Sequence, residues 1–189
     1  MIKKGVYAAS LSVLRVDGSL NIDATIEHAV SSIKKGLHGV FFFGSTGQSQ
    51  LISISEKKEL ISKLALNKYK KQFFLGTGNN SLKENIEIIK YAMEYEFNSF
   101  LLMPPAYYKG NTDEGVFNFY ALIISKIPKI KIILYNFEKL SGYKFTVNSV
   151  KKLVDAFPKN IIGCKDSGYN LFEELRLPIK IFEIWFWFN

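Results

Sequence analysis

Ile161-Ile162-Gly163-Cys164-Lys165-Asp166-Ser167 closes the last well-formed repeat of this chain, and its reading decides the fold. Four small or apolar residues end in a lysine, followed by a carboxylate and a hydroxyl. A lysine at the carboxyl end of a buried strand points into a closed interior, where desolvation disfavours the ammonium and leaves a fraction of neutral amine able to attack a carbonyl. A Schiff-base nucleophile requires just that. A strand-end lysine can equally snorkel to solvent. Lys165 therefore takes its meaning from two earlier apolar runs that end in polar groups: Gly39–Phe43 before Gly44-Ser45-Thr46-Gly47, and Lys131–Leu134 before Tyr135-Asn136.

Outward from that segment, short apolar runs alternate with longer amphipathic stretches. Strands are expected at Gly5–Leu14, Gly39–Phe43, Phe73–Gly76, Ser99–Met103, Lys131–Tyr135 and Ile161–Cys164. Their continuous apolar character suits parallel strands covered on both faces. Helices are expected at Asp23–Lys35, Glu56–Leu66, Leu82–Glu94, Glu114–Ile127 and Val147–Phe157, with capping boxes at Ser53…Glu56 and Ser81…Glu84 and with Gly36 and Pro128 as stops. Strand–helix repeats of roughly 30 residues define a parallel α/β fold. An open doubly wound sheet would gather its reactive residues at one switch point. Here they recur at the carboxyl ends of successive strands, the habit of a (β/α)8 TIM barrel.

About eight strands close such a barrel, and six are clear in the sequence. Residues 1–176 thus read as an incomplete β/α barrel carrying the catalytic groups. Residues 177–189 read as an aberrant apolar tail, holding both tryptophans, Trp185 and Trp187, with no turn, cap or closing helix. The expectation is a truncation or a shifted reading frame from about Leu177.

Composition limits the function classes. The net charge of +8 comes almost wholly from lysine, since Arg15 and Arg176 are the only arginines, and the lysines are scattered without a basic block. No nucleic-acid partner is expected. No apolar run approaches the ~20 residues of a membrane span, and no cleavable leader is visible, so no membrane partner is expected. Cys164, the single cysteine, excludes an internal disulfide and suits a reducing cytoplasm. It reads as a small buried hydrophobe. His28 and His38 lie by the first helix, away from the strand ends, and no metal or other cofactor is expected.

Three motifs keep two readings each. Gly44-Ser45-Thr46-Gly47 is either a nest of amides and hydroxyls for a carboxylate or an ordinary strand-to-helix turn. Tyr135 is either a proton-shuttling phenol or a packing residue at the rim. Tyr107 and Tyr108, after Pro104-Pro105-Ala106, are either interface aromatics or catalytic hydroxyls. Gly76-Thr77-Gly78 lacks the rest of any dinucleotide fingerprint and reads as a turn.

Taken in order, these motifs resemble the dihydrodipicolinate synthase and N-acetylneuraminate lyase family, pyruvate-handling Schiff-base aldolases and lyases on a (β/α)8 barrel. The resemblance runs from about Gly5 to Asn170. It rests on Gly44-Ser45-Thr46-Gly47 with Leu51, Ser53 and Glu56; on Pro105, Tyr107 and Tyr108 with Glu114-Gly115; on Tyr135-Asn136 with Ser141-Gly142; and on Gly163-Cys164-Lys165-Asp166-Ser167. It implies a carbon–carbon or carbon–oxygen lyase acting on pyruvate or a sugar-derived 2-keto acid. Lys165 would form the imine and Tyr135 would transfer protons. Ser45, Thr46 and Gly47 would bind the substrate carboxylate, with Ser45 also in the proton relay. Tyr108 would enter a neighbouring subunit's site, implying a homodimer or homotetramer for the full-length form. The chain departs from the synthase pattern at Leu140, where an arginine is usual, at Glu138 for proline, at Gln48 for glutamate, and in the first strand. Leu140-Ser141-Gly142 looks more like the sugar-acid lyase branch. A non-catalytic keto-acid-binding member or an inactive fragment is the alternative reading.

Overall fold

A computed structural model describes residues 4–171 and the backbone of 183–185. The chain divides into two compact units, residues 1–79 with 87–97, and residues 80–86 with 98–189. The first holds strands β1 (Tyr7–Ala9), β2 (Gly39–Phe42) and β3 (Phe73–Gly76), helices α1 (Ile22–Lys34) and α2 (Ile54–Ala65), and most of α3 (Leu82–Glu94). Its strands pair in parallel, with Tyr7 opposite Gly39 and Val40 opposite Phe73. All four residues of β2 are buried, because strands flank it and both its faces are covered. Phe41 stacks on Phe74 with ring centroids 5.0 Å apart. Helix α2 buries Leu60, Ile61 and Leu64 completely, one apolar stripe at helical spacing. Ser53 and Glu56 form the expected capping box at its start.

The first strand is shorter than the expected Gly5–Leu14. Ser10 N still donates to Phe41 O at 2.9 Å, but the chain then turns back on itself. Leu14 pairs antiparallel with Leu20, and Asp17 Oδ1 accepts from the Ser19 amide and hydroxyl around Gly18. The apolar run therefore continues after the ladder ends, because a local Asp-Gly turn satisfies the backbone there.

The second unit holds β4 (Ser99–Leu102), α4 (Asp113–Lys126), β5 (Lys131–Asn136), a one-turn α5 (Glu138–Ser141), α6 (Val147–Ala156), β6 (Ile161–Asp166) and a short β7 (Glu183–Trp185). Pairing is parallel throughout: Ser99 opposite Lys131, Ile132 opposite Ile161, and Gly163 opposite Glu183. Helix α4 is capped by Thr112, whose hydroxyl accepts from Gly115 N, and α6 by a reciprocal Thr146–Ser149 pair. Tyr120, fully buried, donates to Leu102 O at 2.9 Å and so joins α4 to the end of β4. Desolvation holds that phenol well above its usual pKa. Tyr143 donates to Asp113 Oδ1 at 2.8 Å. Of the apolar tail read from Leu177 onward, only the backbone of β7 is described; the rest lies outside the described residues.

Among the described residues no helix is long and apolar enough to cross a membrane.

Candidate active site

Tyr135 and Lys165 lie opposite one another on the parallel strands β5 and β6. Their register depends on one extra residue. Ile132 pairs with Ile161, but Ile133 pairs with Gly163, so Ile162 is a bulge. Without it Lys165 would fall opposite Asn136, and its side chain would take the opposite face from Tyr135, since successive residues of a strand alternate. A bulge of this kind re-aims a side chain, and such bulges are over-represented beside active sites.

Both side chains are 4% exposed. Lys165 Nζ donates to Tyr135 Oη at 3.2 Å and lies 4.3 Å from the centre of the phenol ring. Burial lowers the Lys165 pKa from 10.5 to about 8, because the ammonium loses its hydration. About a tenth of the amine is then neutral at pH 7, against a few parts in ten thousand for an ordinary lysine. A neutral fraction of the amine therefore stands within hydrogen-bond reach of the phenol hydroxyl.

The next pair along the ladder, Asn136 and Asp166, faces the other way. Asp166 Oδ1 accepts from Asn136 Nδ2 at 2.7 Å and from Gly168 N at 3.1 Å, and its Oδ2 accepts from Leu171 N at 2.8 Å. Asn136 Nδ2 also reaches Asn170 Oδ1 at 2.9 Å, while its Oδ1 accepts from Phe145 N at 3.2 Å. This network fixes the carboxyl ends of both strands and the loop after Lys165. Nothing in the sequence pattern announced either the bulge or the network, apart from one hint: Asn136 and Asp166 each directly follow a singled-out residue. Cys164 is fully buried and desolvation drives its thiol pKa up, so it packs rather than reacts.

The remaining candidates sit on loops. Ser45, Thr46 and Gly47 belong to the first unit, in the turn after β2, where Ser45 and Thr46 are half-buried. Gln48 N donates to Ser45 O at 2.9 Å, closing the turn. Gly47 is required there, since a Cβ on it would stand 2.8 Å from Ser10 O. Tyr107 and Tyr108, on the loop after β4, are 80% and 81% exposed, with rings edge-on and centroids 5.1 Å apart. Asn80 Oδ1 accepts from Ala106 N at 2.8 Å, and Asn111 Nδ2 donates to Pro105 O at 2.8 Å, which pins the base of that loop. Leu140, on α5, is 43% exposed. Among the described residues no group of three or more His, Cys, Asp or Glu could hold a metal ion.

A lysine and a tyrosine held together at the carboxyl ends of parallel strands, within β/α units, stand where proteins of the β/α-barrel class carry their sites. Residues 3–189 match the Dihydrodipicolinate synthetase family, and the chain belongs to that family. Against the 4-hydroxy-tetrahydrodipicolinate synthase of Bartonella bacilliformis it is 32% identical over 170 residues, 89% of this chain and 56% of that protein. The structure of 2-keto 3-deoxygluconate aldolase from Picrophilus torridus aligns with a TM-score of 0.85 and 26% identity, covering 97% of this chain and 66% of that one. YagE of Escherichia coli K12, solved in complex with pyruvate, aligns with a TM-score of 0.75 and 26% identity, covering 86% of this chain and 54% of its own. The chain spans a little over half the length of the curated relatives it matches. Its strands and helices are β/α units of a (β/α)8 barrel, and the described residues hold fewer than the eight that close one.

Proposed function

We propose that this chain carries the imine-forming half of a keto-acid aldolase site, with Lys165 as the nucleophile and Tyr135 as its proton-transfer partner. The observation that carries the reading is the 3.2 Å contact between Lys165 Nζ and Tyr135 Oη in a buried setting that lowers the lysine pKa to about 8. The neutral amine attacks the C2 carbonyl of pyruvate or a related 2-keto acid. Tyr135 passes a proton to the developing alkoxide, and water leaves as the imine forms. The protonated imine withdraws electrons from C3. Loss of a C3 proton then gives an enamine that adds to an aldehyde, and the reverse path cleaves the C3–C4 bond of a longer keto acid. Hydrolysis of the imine returns the free lysine.

Ser45, Thr46 and Gly47 serve in this reading as the carboxylate subsite, with the Ser45 hydroxyl also in the proton relay. A turn with paired glycines and two hydroxyls suits an anion, and preorganised donors stabilise charge more than water does. Tyr108 is the aromatic offered to a second copy, with dimer or tetramer formation as the corollary. Its exposure on a pinned loop supports that assignment. A sugar-derived keto acid is favoured as the larger substrate over aspartate semialdehyde, because Leu140 stands where the synthases usually place an arginine.

Incubation with pyruvate and borohydride tests the reading, since reduction converts an imine into a stable secondary amine. The expected result is a pyruvate-dependent mass increase in the intact chain that Lys165→Arg abolishes, because a guanidinium stays protonated. A folded chain with no mass increase would overturn it.

A further inference from the structure

A second buried lysine lies in the first unit, in a role the proposed chemistry does not use. Lys57 is 0% exposed, although it stands in the charged-looking stretch Ser55-Glu56-Lys57-Lys58. Its Nζ donates to Thr77 O at 2.9 Å and to Asn79 Oδ1 at 2.6 Å, and it lies 5.8 Å from the centre of the Phe43 ring. Thr77 and Asn79 follow β3, and Phe43 ends the run of β2. Between the two acceptors, Gly78 adopts φ +60°, and a Cβ on it would stand 2.0 Å from Ser49 Oγ and 3.1 Å from Phe43 O. The loop after β3 therefore lies directly against the loop after β2.

The loop after β2 also contains unfavourable backbone. Phe43 and Gln48, neither of them glycine, have φ of 59° and 48°. Such conformations cost on the order of 1 kcal/mol each and persist only where surroundings impose them. Ser45 and Thr46 sit between these two residues. Burying an ammonium is costly unless hydrogen bonds satisfy it, so a buried lysine donating to a loop carbonyl and a loop amide is an expensive way to hold ordinary packing. Methionine or leucine would fill the space without that cost.

We propose that Lys57 is a positioning residue for the carboxylate subsite: it clamps Thr77 and Asn79 so that Gly78 buttresses Phe43 and Ser49, fixing the turn that presents Ser45 and Thr46. The part about the carboxylate rests on the reading of Lys165 as an imine former. The part about the turn does not.

Two variants test it with two readouts. Lys57→Met removes the donor at similar volume, and Asn79→Ala removes one acceptor at a half-buried position, with thermal unfolding used to show that each variant is folded. Hydrogen exchange of the amides of residues 44–49, measured without ligand, should speed up about tenfold or more in both variants, while amides of α1 stay unchanged. Asn79→Asp, which keeps an acceptor there, should restore protection. In borohydride trapping, the pyruvate concentration for half-maximal labelling should rise about tenfold in the first two variants, with the maximal rate little altered. Unchanged exchange at 44–49 in Asn79→Ala would overturn the clamp. Faster exchange with unchanged half-saturation would show that the clamp supports stability only. Absence of labelling in the unaltered chain would remove the imine reading and leave the exchange result to decide the role of Lys57.

Discussion

Asn136 Nδ2 donates to Asp166 Oδ1 across 2.7 Å, one ladder position beyond Tyr135 and Lys165 and on the opposite face. This bond ties the two strand ends together where the Ile162 bulge has reset their register. Asp166 also accepts from Gly168 N and Leu171 N, and it is 1% exposed.

Asp166→Ala would take an acceptor from three donors, of which Asn136 Nδ2 keeps Asn170 Oδ1, Gly168 N belongs to an exposed residue, and the buried Leu171 N is left unpaired. Leaving a buried donor unsatisfied costs about 1–3 kcal/mol, so the variant should lose about that much on urea unfolding. Labelling of Lys165 by pyruvate should fall with it, since the strand end no longer holds Nζ against Tyr135. A loss under about 1 kcal/mol would show that the network carries little.

Lys165 should make stability depend on pH in a defined window. Its pKa is about 8 in the fold against 10.5 for an ordinary lysine. Between those values the unfolded chain binds more protons, so stability rises with pH across the window. The contribution is fully present above 10.5 and is lost as pH falls through 8. Lys165→Met should therefore stabilise the chain by roughly 3 kcal/mol at pH 7. That advantage should shrink as pH rises from about 8 to 10.5. A difference that stays constant with pH would contradict the lowered pKa.

Tyr135→Phe keeps the ring beneath the amine and removes only the hydroxyl. Loss of a positioned proton carrier should slow imine formation by about a hundredfold or more, while stability changes by only about 1 kcal/mol. Single-turnover trapping and thermal unfolding measure the two separately. A rate within threefold of the unaltered chain would reassign Tyr135 to packing.

Condensation of pyruvate with aspartate semialdehyde should be poor relative to cleavage of a sugar-derived keto acid, because Leu140 offers no charge to a second carboxylate. Leu140→Arg should raise that condensation about tenfold, the effect of one charged hydrogen bond at a partly exposed site. Efficient condensation before the substitution would contradict the preference.

Much of this architecture was legible in the sequence because continuous apolar runs and helical stripes are local patterns. Five of the six expected strands and all five expected helices fall within two residues of where periodicity and caps put them, and Lys165 and Tyr135 meet as their places at strand ends suggested. The missed features come from relationships between distant residues. The run Leu11–Leu14 looks like strand, but the Asp17-Gly18 turn ends the ladder after Ala9. The bulge at Ile162 is invisible because either register buries apolar residues on both faces. Lys57 hid within a charged cluster, although its spacing to Leu60, Ile61 and Leu64 placed it on the buried stripe of α2.

Whether Lys165 is the nucleophile is decided by peptide mapping after reduction with pyruvate and borohydride. The expected result is one modified residue, Lys165, with labelling that rises as pH increases toward 8. An adduct on Lys57 or on a surface lysine, with Lys165 unmodified, would contradict it.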